Sequence, residues 1–146
     1  MTVFADSSAL VKLYADEAGS ERIHALEEPL VLSELARVEV PAAIWRKQRM
    51  GELSAADAAT LVAAFEADWF ASPGGARRFL VIKLLTRLLD DAARLVAIHG
   101  LRAYDALQLA AALAARAADP ECDTFAAFDA ALRTSAAAQG LRLAPS

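Results

Sequence analysis

The chain has little of several things that would otherwise point to a function. It has a single cysteine, Cys122, so no disulfide can form within it, and a cytoplasmic location is the simplest expectation. Its two histidines, His24 and His99, lack the spacing of metal ligands. No uncharged apolar run approaches the ~18 residues needed to span a bilayer, and the N-terminus carries no basic signal region. We therefore expect no membrane association.

Common catalytic and nucleotide-binding motifs are also missing. The sequence contains no Gly-x-Ser-x-Gly elbow, no P-loop, no Gly-x-Gly-x-x-Gly and no Ser-His-Asp arrangement. The net charge of −4 argues against a passive nucleic-acid binder, which usually has a basic excess. A nuclease is still compatible with this charge, because a bound divalent cation would cancel much of a local acidic cluster.

The sequence does contain an alternation of short apolar runs and longer alanine-rich segments. Its 146 residues predict one domain, residues 1–146, and 57% of them are apolar. The predicted strands are Thr2–Ala5, Leu30–Leu32, Phe79–Ile82, Thr124–Phe128 and Leu141–Leu143. The predicted helices are Ser8–Ala15, Ser20–Glu28, Ser33–Arg49, Ser54–Phe70, Leu84–His99, Ala103–Ala118 and Ala130–Gln139, with Ser7 or Ser8 capping the first.

Strands that alternate with helices predict parallel pairing through right-handed crossovers. The expected fold is therefore α/β, a three-layer α/β/α sandwich with a mainly parallel central sheet. Ligands bind such sheets outside the carboxyl ends of the strands.

Four acidic residues lie in otherwise apolar segments near that predicted edge: Asp6, Glu39, Asp105 and Asp129. Asp6 and Asp129 are expected directly after strands, Glu39 about two turns into a helix, and Asp105 in the first turn of another. Asp123 precedes the strand that Asp129 follows, so it should lie at the opposite edge, ~17 Å away.

Each acid also has an ordinary structural explanation. Asp6 and Asp129 are candidate helix caps, although Ser7 and Ser8 offer Asp6's helix other caps. Asp105 can complement a helix dipole, and Glu39 can pair with Arg37. One shared site is the simpler interpretation of all four together. Such a cluster would be strongly repulsive without a divalent cation, and carboxylate oxygens suit Mg²⁺ or Mn²⁺ rather than zinc.

Basic residues are concentrated in two segments. Arg37, Arg46, Lys47 and Arg49 form one group, and Arg77, Arg78, Lys83 and Arg87 form the other. Solvated helix faces explain both groups, and a rim that contacts phosphates is the alternative.

The segments around the acids, taken in order, resemble the PIN-domain ribonucleases, and most of all the VapC toxins of bacterial toxin–antitoxin pairs. The matching segments are Asp6–Lys12, Ser33–Arg46, Leu101–Ala110 and Phe128–Leu132. The resemblance implies a PIN-like α/β/α domain and a Mg²⁺- or Mn²⁺-dependent endoribonuclease site acting on RNA. It also implies a homodimer and a cognate antitoxin that blocks the site.

The resemblance places the metal site on Asp6, Glu39, Asp105 and Asp129, and it gives Ser8 the role of orienting Asp6 or a metal-bound water. The chain departs from the family at Ala127, where a Ser or Thr often stands two positions before the last acid.

Two other functions are compatible with parts of the pattern. A catalytically silent PIN-like binding module would keep the fold and bind metal weakly or not at all. A receiver-like phospho-accepting signalling domain also uses acids at strand ends with Mg²⁺. That class needs an Asp after a central strand, whereas Phe79–Ile82 is followed by Lys83 and Leu84.

Overall fold

The structure, a computed structural model, describes residues 2–146. Within them a five-stranded, all-parallel sheet has the order β3-β2-β1-β4-β5. The strands are β1 (Val3–Ala5), β2 (Leu30–Ser33), β3 (Phe79–Ile82), β4 (Thr124–Ala126) and β5 (Arg142–Ala144). The helices are α1 (Ser7–Val11), α2 (Ser20–His24), α3 (Ala36–Arg49), α4 (Ala55–Trp69), α5 (Thr86–His99), α6 (Ala103–Ala118) and α7 (Ala130–Ala138).

The sheet is covered on both faces, which confirms the predicted α/β/α sandwich. Alternate residues of a strand point to opposite faces. Phe4, Val31 and Phe125 accordingly pack with α5, α6 and α7, and the rings of Phe4 and Phe125 stack 5.7 Å apart. Val3 and Leu30 pack instead with α1 to α4.

The strand order reverses at β1. The chain adds β2 and β3 on one side of β1, and β4 and β5 on the other. Val3, Phe4 and Ala5 pair in register with Thr124, Phe125 and Ala126. Ligand sites of open α/β sheets lie where the order reverses, outside the carboxyl ends of the strands. This rule places the candidate site just beyond Ala5 and Ala126.

Several predicted boundaries were correct and others were wrong. α6 has the predicted bounds, Ser54 caps α4 through the Asp57 amide, and Gly100 ends α5 with φ +65°. Helix α2 stops at His24 rather than Glu28, and β4 stops at Ala126 rather than Phe128.

The difference that bears on the site is at α3, which begins at Ala36 rather than at Ser33. Ser33 is the last residue of β2, and its hydroxyl accepts a hydrogen bond from the Leu35 amide in the intervening turn. Its hydroxyl therefore stabilises the turn instead of capping the helix.

Candidate active site

Asp6 directly follows β1 and lies at the centre of the candidate site. Its amide donates to the Ala126 carbonyl of β4 at 3.0 Å, and its Oδ1 accepts from the Ala9 amide at 3.0 Å. Asp6 is thus the N-cap of α1, so the expectation that Ser7 or Ser8 would cap this helix was wrong. The reason is that the helix begins one residue early, at Ser7. Ser8 Oγ instead donates to Asp6 Oδ1 at 2.7 Å.

Burial raises the pKa of Asp6 to about 7, and this is the largest of the effects on it. Hydrogen bonds from Ser8 and Ala9 act in the opposite direction, and the charges of Glu39 and Asp105 raise the pKa further. Glu39 and Asp105, which are distant from Asp6 in the sequence, therefore lie close enough to influence it. Both hydrogen bonds that Asp6 accepts end on Oδ1, so among residues 2–146 its Oδ2 has no donor.

Glu39 lies in the first turn of α3, and not two turns into it, because the helix starts three residues later than predicted. Its Oε1 accepts hydrogen bonds from Ser7 Oγ at 2.8 Å and from Gln108 Nε2 at 2.7 Å. The proposed pairing with Arg37 is absent, since Arg37 bonds Glu66 at 3.2 Å.

Asp105 and Asp129 form the other half of the site. Asp105 is in the first turn of α6, with Arg102 Nε 3.5 Å from its Oδ2. Burial raises the pKa of Asp105, Arg102 lowers it, and the charge of Asp129 raises it. Asp129 caps α7 by accepting the Leu132 amide at 2.9 Å. It lies three residues beyond β4 rather than directly after it, because the strand is shorter than predicted.

Each of the four acids thus lies at the start of a helix. Asp6 and Asp129 are N-caps, and Glu39 and Asp105 are in first turns. Helix N-termini favour negative charge, so four dipoles offset part of the repulsion between the carboxylates. No group of three or more His, Cys, Asp or Glu side chains in residues 2–146 is arranged as a ready metal-binding group.

Ala127 stands where the family often has a Ser or Thr, and its environment suits an apolar side chain. Its side chain is buried among α5, α6 and α7, and its carbonyl accepts from Arg133 at 2.8 Å. The Ala127 side chain therefore supplies no hydroxyl to hold a water beside Asp129.

A groove of about 740 Å³ begins at Ser8 and Glu39 and runs along α3. Arg46, Lys47 and Arg49 of the first predicted basic group line it. Lys47 is already paired with Glu17 and Glu52. Tyr104, 62% exposed, lines the groove beside the acids.

Residues excluded from the site have other partners. Asp123 bonds Arg142 at 2.8 Å at the start of β4, away from the carboxyl ends of the strands, as predicted. In the second basic group, Arg77 contacts Glu28 at 3.3 Å and His24 at 2.7 Å. This arginine is therefore engaged elsewhere.

Sequence reasoning missed two polar residues of the site, Ser7 and Gln108. Gln108 is 2% exposed and interrupts an apolar run of α6. It follows Asp105 by three positions, so both lie on one helix face, and this spacing was the available signal. Ser7 was considered only as a cap.

A parallel α/β/α sandwich with acids beyond the strand ends, where its strand order reverses, fits the class of PIN-like domains. No family model matches the chain. It is 34% identical over 146 residues to Ribonuclease VapC45 of Mycobacterium tuberculosis strain CDC 1551, covering 98% of this chain and 94% of that protein. The same identity and coverage hold for Ribonuclease VapC49 of Mycobacterium tuberculosis strain H37Rv. The chain belongs to the VapC ribonuclease family of PIN-domain proteins.

In the part of the chain that the structure describes, every helix is too short or too polar to cross a bilayer.

Proposed function

We propose that this protein is a toxin endoribonuclease that hydrolyses RNA phosphodiester bonds with Mg²⁺ or Mn²⁺ and is neutralised by a cognate antitoxin. The observation that carries the proposal is the environment of Asp6. A buried carboxylate follows the central strand, keeps one oxygen without a donor and is influenced by Glu39 and Asp105. The names of the two relatives, both ribonucleases, support the same activity.

The donor set fits a hard divalent cation. Asp6, Glu39 and Asp105 would hold it, together with Asp129, and all four offer only carboxylate oxygens. When bound, such an ion activates water and stabilises the charge that develops on a phosphoryl group. Ser8 supports this role because it fixes Asp6 Oδ1 and itself accepts the Phe128 amide at 3.3 Å. The turn after β1 is thereby tied to the turn after β4.

The groove along α3 would receive the RNA. Arg46 and Arg49 form no ion pair within residues 2–146, so both guanidinium groups are available to phosphates. Tyr104 offers an exposed ring on which an unpaired base can stack.

The partners belong to the same proposal. We expect a homodimer in the cytoplasm and a tight complex with the antitoxin. Sedimentation of the purified chain tests the dimer, and recovery of cleavage on removal of a co-expressed antitoxin tests the neutralisation.

The central experiment is an RNA cleavage assay on protein freed of antitoxin. Cleavage should require Mg²⁺ or Mn²⁺, stop with EDTA, and be lost in Asp6→Asn. Asp123→Asn, at the other end of β4, is the matched control and should retain activity. Absence of cleavage of any RNA with either metal would refute the enzymatic proposal.

A catalytically silent binding module is the second candidate. Two observations favour it: residues 2–146 contain no ready-made metal-binding group, and Ala127 is buried. Titration with Mn²⁺ separates the two candidates, because a silent module should bind the ion weakly or not at all.

A further inference from the structure

Gln108 is a buried polar residue that the proposed chemistry does not use directly. It lies in α6, 2% exposed, one turn after Asp105. Its neighbours Leu109, Ala110, Ala111 and Ala112 all belong to the core. An apolar side chain of similar volume, such as methionine, would suit this environment better unless the amide has a specific partner.

The amide does have specific partners, and they converge on one oxygen. Gln108 Nε2 donates to Glu39 Oε1 at 2.7 Å and to Ser7 Oγ at 2.9 Å, and Ser7 Oγ donates to the same Glu39 Oε1 at 2.8 Å. Both hydrogen bonds that the Glu39 side chain accepts within residues 2–146 therefore end on Oε1. Its Oε2 is left without a donor, as Oδ2 is in Asp6.

The carbonyl oxygen of the Gln108 side chain is left unsatisfied by this arrangement. Gln108 Oε1 is buried and has no hydrogen-bond partner within residues 2–146. An unsatisfied buried acceptor destabilises a fold, because the group loses its hydrogen bonds to water and gains none in the protein. Reversing the amide would place Oε1 against the Glu39 carboxylate, acceptor against acceptor, so the charge of Glu39 dictates the observed orientation.

We infer that Gln108, together with Ser7, is a positioning residue that fixes Glu39 through Oε1 and reserves Oε2 for the divalent cation. The inference rests on the proposed function, since it assigns Glu39 to the metal. Gln108 itself touches neither metal nor RNA. Ligand-orienting residues of this kind typically change metal affinity about 10–100-fold when removed.

The test is Mn²⁺ binding to metal-free protein, measured from the electron paramagnetic resonance signal of free Mn²⁺. Gln108→Met should weaken binding about 10-fold or more, while thermal unfolding in EDTA is unchanged or shifted upward. Its RNA cleavage should fall at low Mn²⁺ and recover at high Mn²⁺, with KM for RNA unaltered. Gln139→Met is the matched control, because Gln139 is a half-buried glutamine whose amide contacts His99 instead.

Ser7→Ala provides a second variant should Gln108→Met fold poorly, and it should weaken Mn²⁺ binding in the same direction. Wild-type Mn²⁺ affinity in variants at both positions would overturn the inference while leaving the metal site intact. If wild-type protein binds no Mn²⁺, or Glu39→Gln binds it as tightly as wild type, the proposed metal site fails, and the inference fails with it.

Discussion

At the residue scale, the structural roles of the four acids are compatible with the proposed metal site. Asp6 and Asp129 cap helices, and Glu39 and Asp105 lie in first turns where the dipole favours them. The same helix starts bring the four carboxylates toward one edge of the sheet. A capping role for an acid therefore does not argue against a metal-binding role, because helix starts and ligand sites share this edge in an open α/β sheet.

The raised pKa of Asp6 predicts a pH dependence of stability in metal-free protein. The carboxyl keeps its proton up to about pH 7 when folded, whereas the unfolded chain loses it near the ordinary value of 3.8. The folded state thus binds the extra proton between these values, so the free energy of unfolding should fall as pH rises toward and through 7. The slope of this contribution approaches roughly 1.4 kcal/mol per pH unit. Urea unfolding in EDTA between pH 5.5 and 8.5 measures it.

Asp6→Asn is the matched variant for this prediction. Asn retains an oxygen for the Ala9 and Ser8 hydrogen bonds and is a good N-cap, but it has no charge to bury. It should flatten the slope and raise the free energy of unfolding at pH 8 by about 1–3 kcal/mol. A variant less stable than wild type at pH 8, or one with an unchanged slope, would contradict the burial argument.

Tyr104 permits a separate prediction about substrate binding. Removing an aromatic ring that stacks on a base costs about 1–3 kcal/mol, so Tyr104→Ala should raise KM for RNA by roughly 5- to 150-fold. Tyr104→Phe keeps the ring and should behave like wild type. Steady-state cleavage of a short RNA at saturating Mn²⁺ checks both variants, and an unchanged KM in the alanine variant would remove Tyr104 from the RNA surface.

At the element scale, the sequence predicted what long periodic segments and strong end signals specify. The bounds of α6 and the Ser54 cap of α4 follow from such signals. The predicted boundaries were wrong where a residue could belong to either of two neighbouring elements, or where several residues could cap the same helix. Ser33 ends β2 instead of starting α3, and Asp6 takes the cap expected of Ser7 or Ser8. Tertiary context decides these cases, since hydrogen bonds such as Asp6 N to Ala126 O join distant segments.

The prediction of the candidate site from sequence was limited in the same way, because contacts between distant segments are not visible in local patterns. Sequence patterns identified the acids because charge is conspicuous in apolar segments. The two side chains that donate to Glu39, Ser7 and Gln108, are neutral, and their contacts span 32 to 101 positions of the sequence. Local spacing carries little information about such contacts.

Helix α4 contains a buried acid whose hydrogen bonds connect separate segments of the chain. Asp68 is 5% exposed, and it accepts the Tyr14 hydroxyl at 2.5 Å and the amides of Ala76 and Arg77 at 2.6 and 3.0 Å. It joins α4 to the segment after α1 and to the loop that leads into β3. Burial raises the pKa of Tyr14 well above its usual range, and the bond to Asp68 adds to this.

Asp68→Ala should therefore destabilise the fold while sparing the metal site. Three donors would lose their acceptor, two of them backbone amides, and we expect a loss of roughly 2–4 kcal/mol. Asp57→Ala, at an exposed position of the same helix, should cost less than about 1 kcal/mol. Chemical denaturation gives both values. A large change in Mn²⁺ affinity in Asp68→Ala would show that α4 also supports the site.

At the scale of the whole molecule, the apolar clusters that stabilise the fold and the acids of the candidate site lie in different parts of the structure. Two apolar clusters, one on each face of the sheet, hold the layers together. The acids lie outside the strand ends, where burial and mutual repulsion act on Asp6. This edge should therefore be the part of the protein that a bound cation stabilises most.

This coupling predicts that Mg²⁺ raises the melting temperature by mass action. At ten times its dissociation constant, an ion that binds only the folded state adds about 1.4 kcal/mol. For a chain of this size, that corresponds to a rise of about 3–6 °C.

The rise should be larger at pH 8 than at pH 6, because at pH 6 the ion must displace the proton that Asp6 retains. Differential scanning calorimetry of Asp6→Asn should show no rise at either pH, whereas Asp123→Asn should respond like wild type. If Mg²⁺ raises the melting temperature of Asp6→Asn as much as that of wild type, the ion binds elsewhere on the protein. The proposal that the four acids bind the cation would then be wrong.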